Sequence, residues 1–334
     1  MRQCSSDTGS SLQRSNGVRI KALTVETTGD PTIRTSARQL RPGDAPRTVS
    51  GVVATHPAAR VSAGRTTGGS DSRASELIVW ALVLVLLLFL AIPVVALIIR
   101  ALGTGAAWDA QTYDTLRQAL GLSMVTTATT MVIVVVLGTP LAYVLARRRF
   151  PGAVVVEALV DLPIVLPPAV AGIALLVAFG RNGLVGRWLA EDGVTLGFTT
   201  IAVVMAQVFV SAPFYVIAAR AGFARVDTDV EAAAADLGAT PSQVFRTVTL
   251  PLIAPSLIAG AVLAWARALG EFGATIMFAG NFPGVTQTMP LAIYGRFGAG
   301  DLPTALLLSV VLLIASLMVL LGVRIAGGRV RSGV

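Results

Sequence analysis

Six long blocks of apolar residues dominate this sequence and limit what it can fold into. They lie at about 77–99, 120–145, 153–179, 198–219, 255–278 and 304–325. A helix of about 20 apolar residues is long enough to cross a bilayer. Because the hydrocarbon core offers no water to backbone polar groups, each block must satisfy its own hydrogen bonds by forming a helix. The sequence therefore predicts an all-α polytopic membrane protein with about six transmembrane helices.

The composition supports a membrane protein and argues against other classes. The 334 residues are 54% hydrophobic and 13% charged, whereas soluble domains average about 25% charged. A net charge of +8 in a soluble protein would suggest binding to nucleic acid. Here the basic residues lie in the N-terminal tail and between the apolar blocks, where they set membrane topology. No nucleic-acid partner is expected.

The chain divides into a polar tail and a membrane part. Residues 1–75 are rich in Ser, Thr, Gly, Arg and Pro, a composition that predicts a disordered N-terminal extension. Residues 76–101 are predicted to form the first transmembrane helix. The third block carries two carboxylates, Glu157 and Asp161, which are costly in hydrocarbon. We therefore expect its first half to lie at the interface and the span to begin near Pro163.

The loops between the blocks indicate the orientation. Nine arginines follow the second, fourth and sixth blocks, and five lie on the opposite side. The nine are Arg147, Arg148, Arg149, Arg220, Arg225, Arg246, Arg324, Arg329 and Arg331, and the five are Arg100, Arg117, Arg181, Arg187 and Arg296. Because cytoplasmic loops carry the excess of positive charge, the N- and C-termini are predicted to be cytoplasmic.

Several kinds of chemistry are excluded by what the sequence lacks. Lys21 is the only lysine, so the membrane part has no phosphate-binding P-loop lysine and is not expected to hydrolyse ATP by that route. The one cysteine and the one histidine, Cys4 and His56, both lie in the tail. A His/Cys metal site is therefore not expected. We predict a protein that is not an enzyme and has no metal or other cofactor.

The loop at 226–251, between the fourth and fifth blocks, has clear signals for two short helices. The first is expected to begin at one of residues 227–229, which suit helix capping, and to end at Gly238, which suits a left-handed residue. The second is capped by Thr240 and is expected to end at the Leu-Pro pair at 250–251. A short helical hairpin could occur in any loop, and this simpler interpretation remains open.

The spacing within this loop is more specific than a hairpin. Glu-Ala-Ala from Glu231, then a glycine, and then a Leu-Pro pair resembles the EAA motif of binding-protein-dependent ABC importer permeases, over residues 116–323. In that family the loop docks into a groove of the ATPase subunit and transmits its closure to the membrane. The resemblance implies that the glutamate could pair with a basic residue of the partner. The implied coupling residues are Glu231, Ala233, Ala234, Gly238, Leu250 and Pro251.

The fifth block contains an ionisable pair, Arg267 and Glu271, four residues apart on one helical face. Charged residues inside a membrane are expensive, so a role in the pathway is the first hypothesis. A structural ion pair near the end of the helix is the alternative. Gly273, which follows, could equally be a packing glycine.

Three segments narrow the resemblance. Residues 267–276 are similar to a segment of molybdate and sulfate permeases, residues 162–168 resemble the same branch, and residues 281–290 resemble the molybdate permeases. The translocation pathway residues that follow from this likeness are Arg267, Glu271, Gly273 and Thr275. The resemblance thus implies a type I ABC importer permease fold and a plasma-membrane subunit that translocates molybdate.

The resemblance also implies an assembly. Two copies of the chain would form a homodimer, an ABC ATPase subunit would supply the energy, and an extracytoplasmic molybdate-binding protein would deliver the anion. Sulfate, thiosulfate or tungstate are alternative substrates. A secondary transporter is a further alternative, although no repeat relates the two halves of the sequence. A membrane-bound sensor or enzyme would need a soluble domain or clustered catalytic residues, and neither is evident.

Overall fold

The structure is a computed structural model, and it describes residues 71–103 and 109–332. Most of the predicted N-terminal extension, residues 1–70, lies outside the described residues. The first helices are α1 (Asp71–Gly103), α2 (Ala110–Arg147), α3 (Ala153–Val165), α4 (Pro168–Phe179), α5 (Gly186–Glu191) and α6 (Thr200–Arg225). The remaining helices are α7 (Thr228–Asp236), α8 (Pro241–Val244), α9 (Leu250–Leu269), α10 (Gly273–Phe278), α11 (Met289–Gly298) and α12 (Leu302–Ser332).

Five stretches are long and apolar enough to cross a membrane, and α3 with α4 brings the number to six if this bent pair is one span. The five are Ser75–Gly103, Ala110–Arg147, Thr200–Arg225, Pro241–Leu269 and Leu302–Gly322. The described residues contain no β-strand. The predicted all-α polytopic fold with about six spans is confirmed.

The third predicted span is broken later than the sequence suggested. Pro163 lies inside α3, and the chain turns by 119° between α3 and α4. Leu166 and Pro167 are both extended there, with ψ angles of 131° and 136°. A residue before proline is disfavoured in the helical region, and two consecutive prolines lack the N–H groups that would continue the helix. The double proline therefore sets the bend.

The fifth predicted span is also interrupted. It was expected to run to residue 278, but α9 ends at Leu269 and α10 begins at Gly273. Gly270 ends α9 with its N–H bonded to the Ala266 carbonyl. The Glu271 carboxylate then accepts a hydrogen bond from the Ala274 N–H at 2.7 Å, which satisfies one free donor at the start of α10.

Helix α6 lies at the centre of the bundle and packs against α2 and α9. Tyr215 on α6 is buried, and its hydroxyl lies 2.6 Å from the Thr139 hydroxyl of α2. Gly138 on α2 and Gly260 on α9 both face this tyrosine. A Cβ at residue 138 would lie 2.9 Å from the Tyr215 ring. Small residues of this kind allow membrane helices to approach closely.

Helices α4 and α10 form a second close pair. A Cβ on Gly172 of α4 would lie 2.6 Å from the Ala274 carbonyl oxygen, and one on Gly273 would lie 2.6 Å from the Pro168 Cβ. These glycines therefore have a packing reason for their identity. The pair brings the two broken spans together beside α6.

Helix α1 differs from the rest of the bundle. Its apolar side chains face outward along its length, and none of its residues from 75 to 103 is buried. A helix that is apolar on all sides is typical of a membrane span. Its apolar surface thus has the character needed to face lipid or another apolar surface.

Candidate functional site

The loop at 226–251 folds as two short helices joined at Gly238. Asp227 caps α7 by accepting a bond from the Asp229 N–H at 2.9 Å. Gly238 has a φ of +90°, the left-handed conformation that favours glycine. Thr240 and Gln243 cap α8 reciprocally in a capping box. The predicted caps and the predicted left-handed glycine are confirmed.

The predicted end of the second helix at 250–251 is wrong. Helix α8 continues through a π-helical turn, Phe245–Thr249, directly into α9. Pro251 has no N–H and would clash with the carbonyl of an ordinary preceding turn. The wider turn, in which the Leu250 N–H bonds to the Phe245 carbonyl, accommodates this proline. Leu250 and Pro251 therefore begin α9 rather than end α8.

Glu231 on α7 is bonded to its own chain. Its Oε1 atom lies 3.1 Å from a guanidinium nitrogen of Arg147, the last residue of α2. The same oxygen accepts a hydrogen bond from the Thr249 hydroxyl at 2.6 Å. Glu231 thus has an internal basic partner in this chain, and its pairing with a basic residue of another subunit stays a prediction.

The remaining coupling candidates lie near the surface. Ala233 and Gly238 are exposed and Ala234 is half-buried, while Leu250 and Pro251 are exposed at the start of α9. Leu237, at the joint between the two helices, is 90% exposed. Sequence reasoning did not single out Leu237. A large apolar residue directly before the predicted helix-ending glycine was the signal that could have found it.

The four pathway candidates lie around the break between α9 and α10. Arg267 and Glu271 form an ion pair at 2.5 Å, with the glutamate side chain 1% exposed and the arginine 28%. Gly273 begins α10 and packs on α4. Thr275 is buried, and its hydroxyl has no hydrogen-bond partner within the described part of the chain. The structure therefore brings these four residues to one place.

A buried polar stripe on α2 was not predicted. Ser123, Thr126, Thr127 and Thr130 follow helical spacing and are all buried. Thr130 donates to the Gln207 side-chain oxygen at 3.0 Å, and the Gln207 amide donates to Thr127 at 3.4 Å. Such bonds between membrane helices contribute about 0.6 kcal/mol each on average. Because these residues recur at intervals of three or four positions, the stripe could have been recognised from the sequence.

A polar cavity of about 680 Å³ lies at the other end of α2, away from the loop, between that helix and α11. Its lining includes Gln111, Asp114, Gln118, Gln287 and Arg296. None of the four pathway candidates lines this cavity.

The charged groups beside the cavity are held by local contacts. Arg296 donates to the Thr115 hydroxyl at 2.8 Å and lies 3.6 Å from the Asp301 carboxylate. Hydrogen bonding by Thr112, with a smaller contribution from Arg296, holds the pKa of Asp109 below its usual value. Within the described residues, no group of three or more His, Cys, Asp or Glu side chains is placed to hold a metal ion.

This fold is found in solved transporters. One chain of a solved bacterial ABC transporter involved in the import of the acidic polysaccharide alginate superposes with a TM-score of 0.60. The match is 17% identical and covers 78% of this chain and 97% of that one. At this identity the similarity concerns the fold alone, which is that of type I ABC importer permeases.

The sequence comparisons place the chain more narrowly. Residues 134–332 match the family described as binding-protein-dependent transport system inner membrane component. The chain belongs to this family and is therefore a multi-pass inner-membrane protein. Permeases of ABC importers work with an ATPase and a periplasmic binding protein.

Two curated relatives illustrate the range of the similarity. The molybdenum transport system permease protein ModB of Mycobacterium tuberculosis is 46% identical over 237 residues, which are 71% of this chain and 89% of that protein. The sulfate transport system permease protein CysT of Salmonella typhimurium is 36% identical over 238 residues, which are 71% of this chain and 86% of that protein. Both relatives are permease proteins of transport systems.

Proposed function

We propose that this chain is the membrane-spanning subunit of an ATP-driven importer that translocates molybdate across the plasma membrane. The observation that supports molybdate as the substrate is the 46% identity to ModB of Mycobacterium tuberculosis along 89% of that protein. The lower identity to a sulfate permease, 36%, makes sulfate the second candidate. Thiosulfate and tungstate remain further alternatives for the same pathway.

In this proposal the loop at 226–251 receives the energy. Leu237 is 90% exposed beside the sharp turn at Gly238, so the loop presents one large apolar side chain at its tip. An exposed apolar residue of this size suits the groove of a partner protein. A separate ABC ATPase subunit is the partner that the family membership supports, and Ala233 and Ala234 leave room for its close approach.

The proposal also gives the protein an orientation in the membrane and further partners. The loop lies on the cytoplasmic side, so both termini are cytoplasmic and the polar cavity by α11 faces the extracytoplasmic molybdate-binding protein. Two copies of the chain form a homodimer around the pathway, where Arg267, Glu271, Gly273 and Thr275 line or gate it. Exposed apolar residues beside this site, such as Leu263 and Met277, are surfaces that a second copy could cover.

The domain organisation is part of the proposal. Residues 116–323 form the importer's transmembrane domain and residues 76–101 an additional first span. Residues 1–75 are the predicted N-terminal extension, to which we assign no role in transport. Deletion of residues 1–70, which precede α1, is expected to leave uptake unchanged.

The substrate is tested by uptake in proteoliposomes that contain this chain, the ATPase subunit and the binding protein. We expect ATP-dependent uptake of labelled molybdate that excess tungstate inhibits and excess sulfate does not. Uptake of sulfate in place of molybdate would keep the permease and change the substrate. Uptake driven by an ion gradient without the ATPase would contradict the proposal and indicate a secondary transporter.

The loop is tested by Leu237→Asp, which places a charge at the exposed tip and leaves the internal bonds of Glu231 intact. We expect loss of binding to the ATPase subunit and loss of uptake, with normal membrane insertion. Leu184→Asp is the matched control for ATPase binding, because Leu184 is also exposed, at 71%, but lies outside the loop, in the α4–α5 connection. Normal uptake in the Leu237 variant would contradict the proposed docking.

A further inference from the structure

The end of α2 contacts the loop at two points. Arg147 forms the 3.1 Å ion pair with Glu231. One turn earlier, the Tyr143 ring meets the Phe245 ring edge to face, with centroids 6.3 Å apart. Residues four apart lie on the same face of a helix. One face of the last turns of α2 therefore holds both halves of the loop, although α2 is not adjacent to it in sequence.

Thr249 adds a third segment to the same contact. It is 2% exposed and ends the π-helical turn that leads into α9. Its hydroxyl and the Arg147 guanidinium share one carboxylate oxygen of Glu231. A single side chain thus links α7 both to α2 and to the π-helical turn that leads into α9. Hydrogen bonds to charged groups are stronger than those between neutral groups.

Helix α7 has few other means of holding its position. None of its residues is buried, so apolar packing contributes little to placing it. The Arg147 and Glu231 side chains are only 14% and 23% exposed, which shields their ion pair more than a typical surface pair. The position of α7 relative to the membrane helices therefore depends strongly on the polar contacts of Glu231.

We infer that Arg147 and Thr249 are positioning residues for energy coupling, an inference that rests on the proposed function of the loop. They hold Glu231 so that α7 moves together with α2 and α9 when the ATPase displaces the loop. Toward its other end, α2 is bonded to α11, because the Ser123 hydroxyl accepts the Met289 N–H at 2.8 Å. Displacement at Arg147 is thereby passed to the opposite side of the membrane.

The experiment compares uptake with ATP hydrolysis in proteoliposomes containing the binding protein and the ATPase subunit. For Arg147→Gln we expect at least a ten-fold fall in molybdate transported per ATP hydrolysed, because the charged hydrogen bond that links α7 to α2 is lost. For Thr249→Val, which keeps the side-chain shape, we expect a fall of about three-fold. Arg147→Gln combined with Glu231→Gln is expected to be no worse than either change alone.

Arg220→Gln is the matched control. Arg220 also forms an arginine–glutamate pair, with Glu157 at 2.7 Å, but the two side chains are 39% and 31% exposed and neither belongs to the loop. We expect transport per ATP in this variant to stay near the wild-type value. The exchange Arg147→Glu with Glu231→Arg restores the ion pair with reversed charges and is expected to recover part of the transport per ATP, measured on equal amounts of inserted protein.

Normal transport per ATP in both Arg147→Gln and Thr249→Val would overturn this inference. If Leu237→Asp still abolishes uptake in that case, the loop keeps its proposed function and only the role of Arg147 and Thr249 fails. If Leu237→Asp also transports normally, the proposed function of the loop fails as well. Should Arg147→Gln not insert, Thr249→Val alone decides, because it removes one oxygen contact without removing a charge.

Discussion

Two glutamates in this protein each form an ion pair with an arginine and accept one further hydrogen bond, but they differ in burial and in how far away their partners lie in the sequence. Glu271 pairs with Arg267 in the turn before it and accepts the Ala274 N–H three residues later, and its side chain is 1% exposed. Glu231 pairs with Arg147, 84 residues earlier in the chain, and accepts the Thr249 hydroxyl, and its side chain is 23% exposed. The partners of Glu271 are close to it in sequence and its carboxylate is buried. The partners of Glu231 are distant in sequence and its carboxylate is partly exposed.

The difference separates a fixed bend from a movable link. Breaking the contacts of Glu271 leaves charge and an N–H group without partners inside the bundle, which is costly. Water can replace the contacts of Glu231 at a lower cost, because that side chain is partly exposed. The break between α9 and α10 is therefore expected to stay rigid, while the contacts of Glu231 hold the moving loop to α2 and to the start of α9 with a smaller contribution to the stability of the fold.

The largest expected effect is the difference in unfolding free energy between variants of the two glutamates. Glu271→Gln leaves Arg267 without its counter-charge and should destabilise the protein by about 3 kcal/mol, as for a broken buried ion pair. Glu231→Gln should cost about 1 kcal/mol or less while reducing uptake strongly. Thermal unfolding of both purified variants in detergent measures the contrast. Equal losses of stability would contradict the distinction between fixed bend and movable link.

A smaller effect is expected from the packing around the bend. Gly172→Ala places a Cβ 2.6 Å from the Ala274 carbonyl oxygen and should cost about 2 kcal/mol by overpacking. Gly121→Ala on α2 is the control, because no atom lies within 4 Å of its added Cβ. That control should be neutral or slightly stabilising. A tolerated Gly172→Ala would show that α4 and α10 can separate.

Gly238→Ala tests the loop by a different mechanism. There is space for its Cβ, so the cost is the left-handed backbone at φ +90°, about 1 kcal/mol. We expect this variant to unfold at nearly the wild-type temperature and to lose uptake, because the angle between α7 and α8 changes. Circular dichroism melting and vesicle uptake are the two measurements. A variant with unchanged uptake would show that the joint does not set the docking geometry.

The smallest effect concerns pH at the start of α2. The pKa of Asp109 is lowered in the folded protein, mainly by hydrogen bonding from Thr112. A group whose pKa falls on folding contributes stability above its unfolded pKa and loses it as pH falls through the folded value. Asp109→Asn should therefore show a slightly smaller drop in unfolding temperature between pH 7 and pH 3. An identical pH profile would argue against this contribution.

The spans could be predicted from the sequence because a bilayer permits little besides helices. The caps at Asp227 and Thr240 followed from local chemistry in the same way. The breaks could not be placed, since the end of α9 depends on how Glu271 bonds Ala274 and the bend after α3 depends on which prolines the helix tolerates. The partner of Glu231 was also beyond sequence reasoning, because Arg147 becomes its neighbour only after α2 packs against α6 and α9.

The most direct test of the central claim, that energy enters through this loop, is photo-crosslinking from its tip in the assembled transporter. A photoreactive residue replaces Leu237 in one sample and Leu184, the exposed control position, in another, with ATPase subunit and binding protein present. We predict a crosslink to the ATPase subunit from position 237 whose yield changes with ATP, and none from position 184. Absence of a crosslink from position 237, or equal crosslinks from both positions, would contradict the claim.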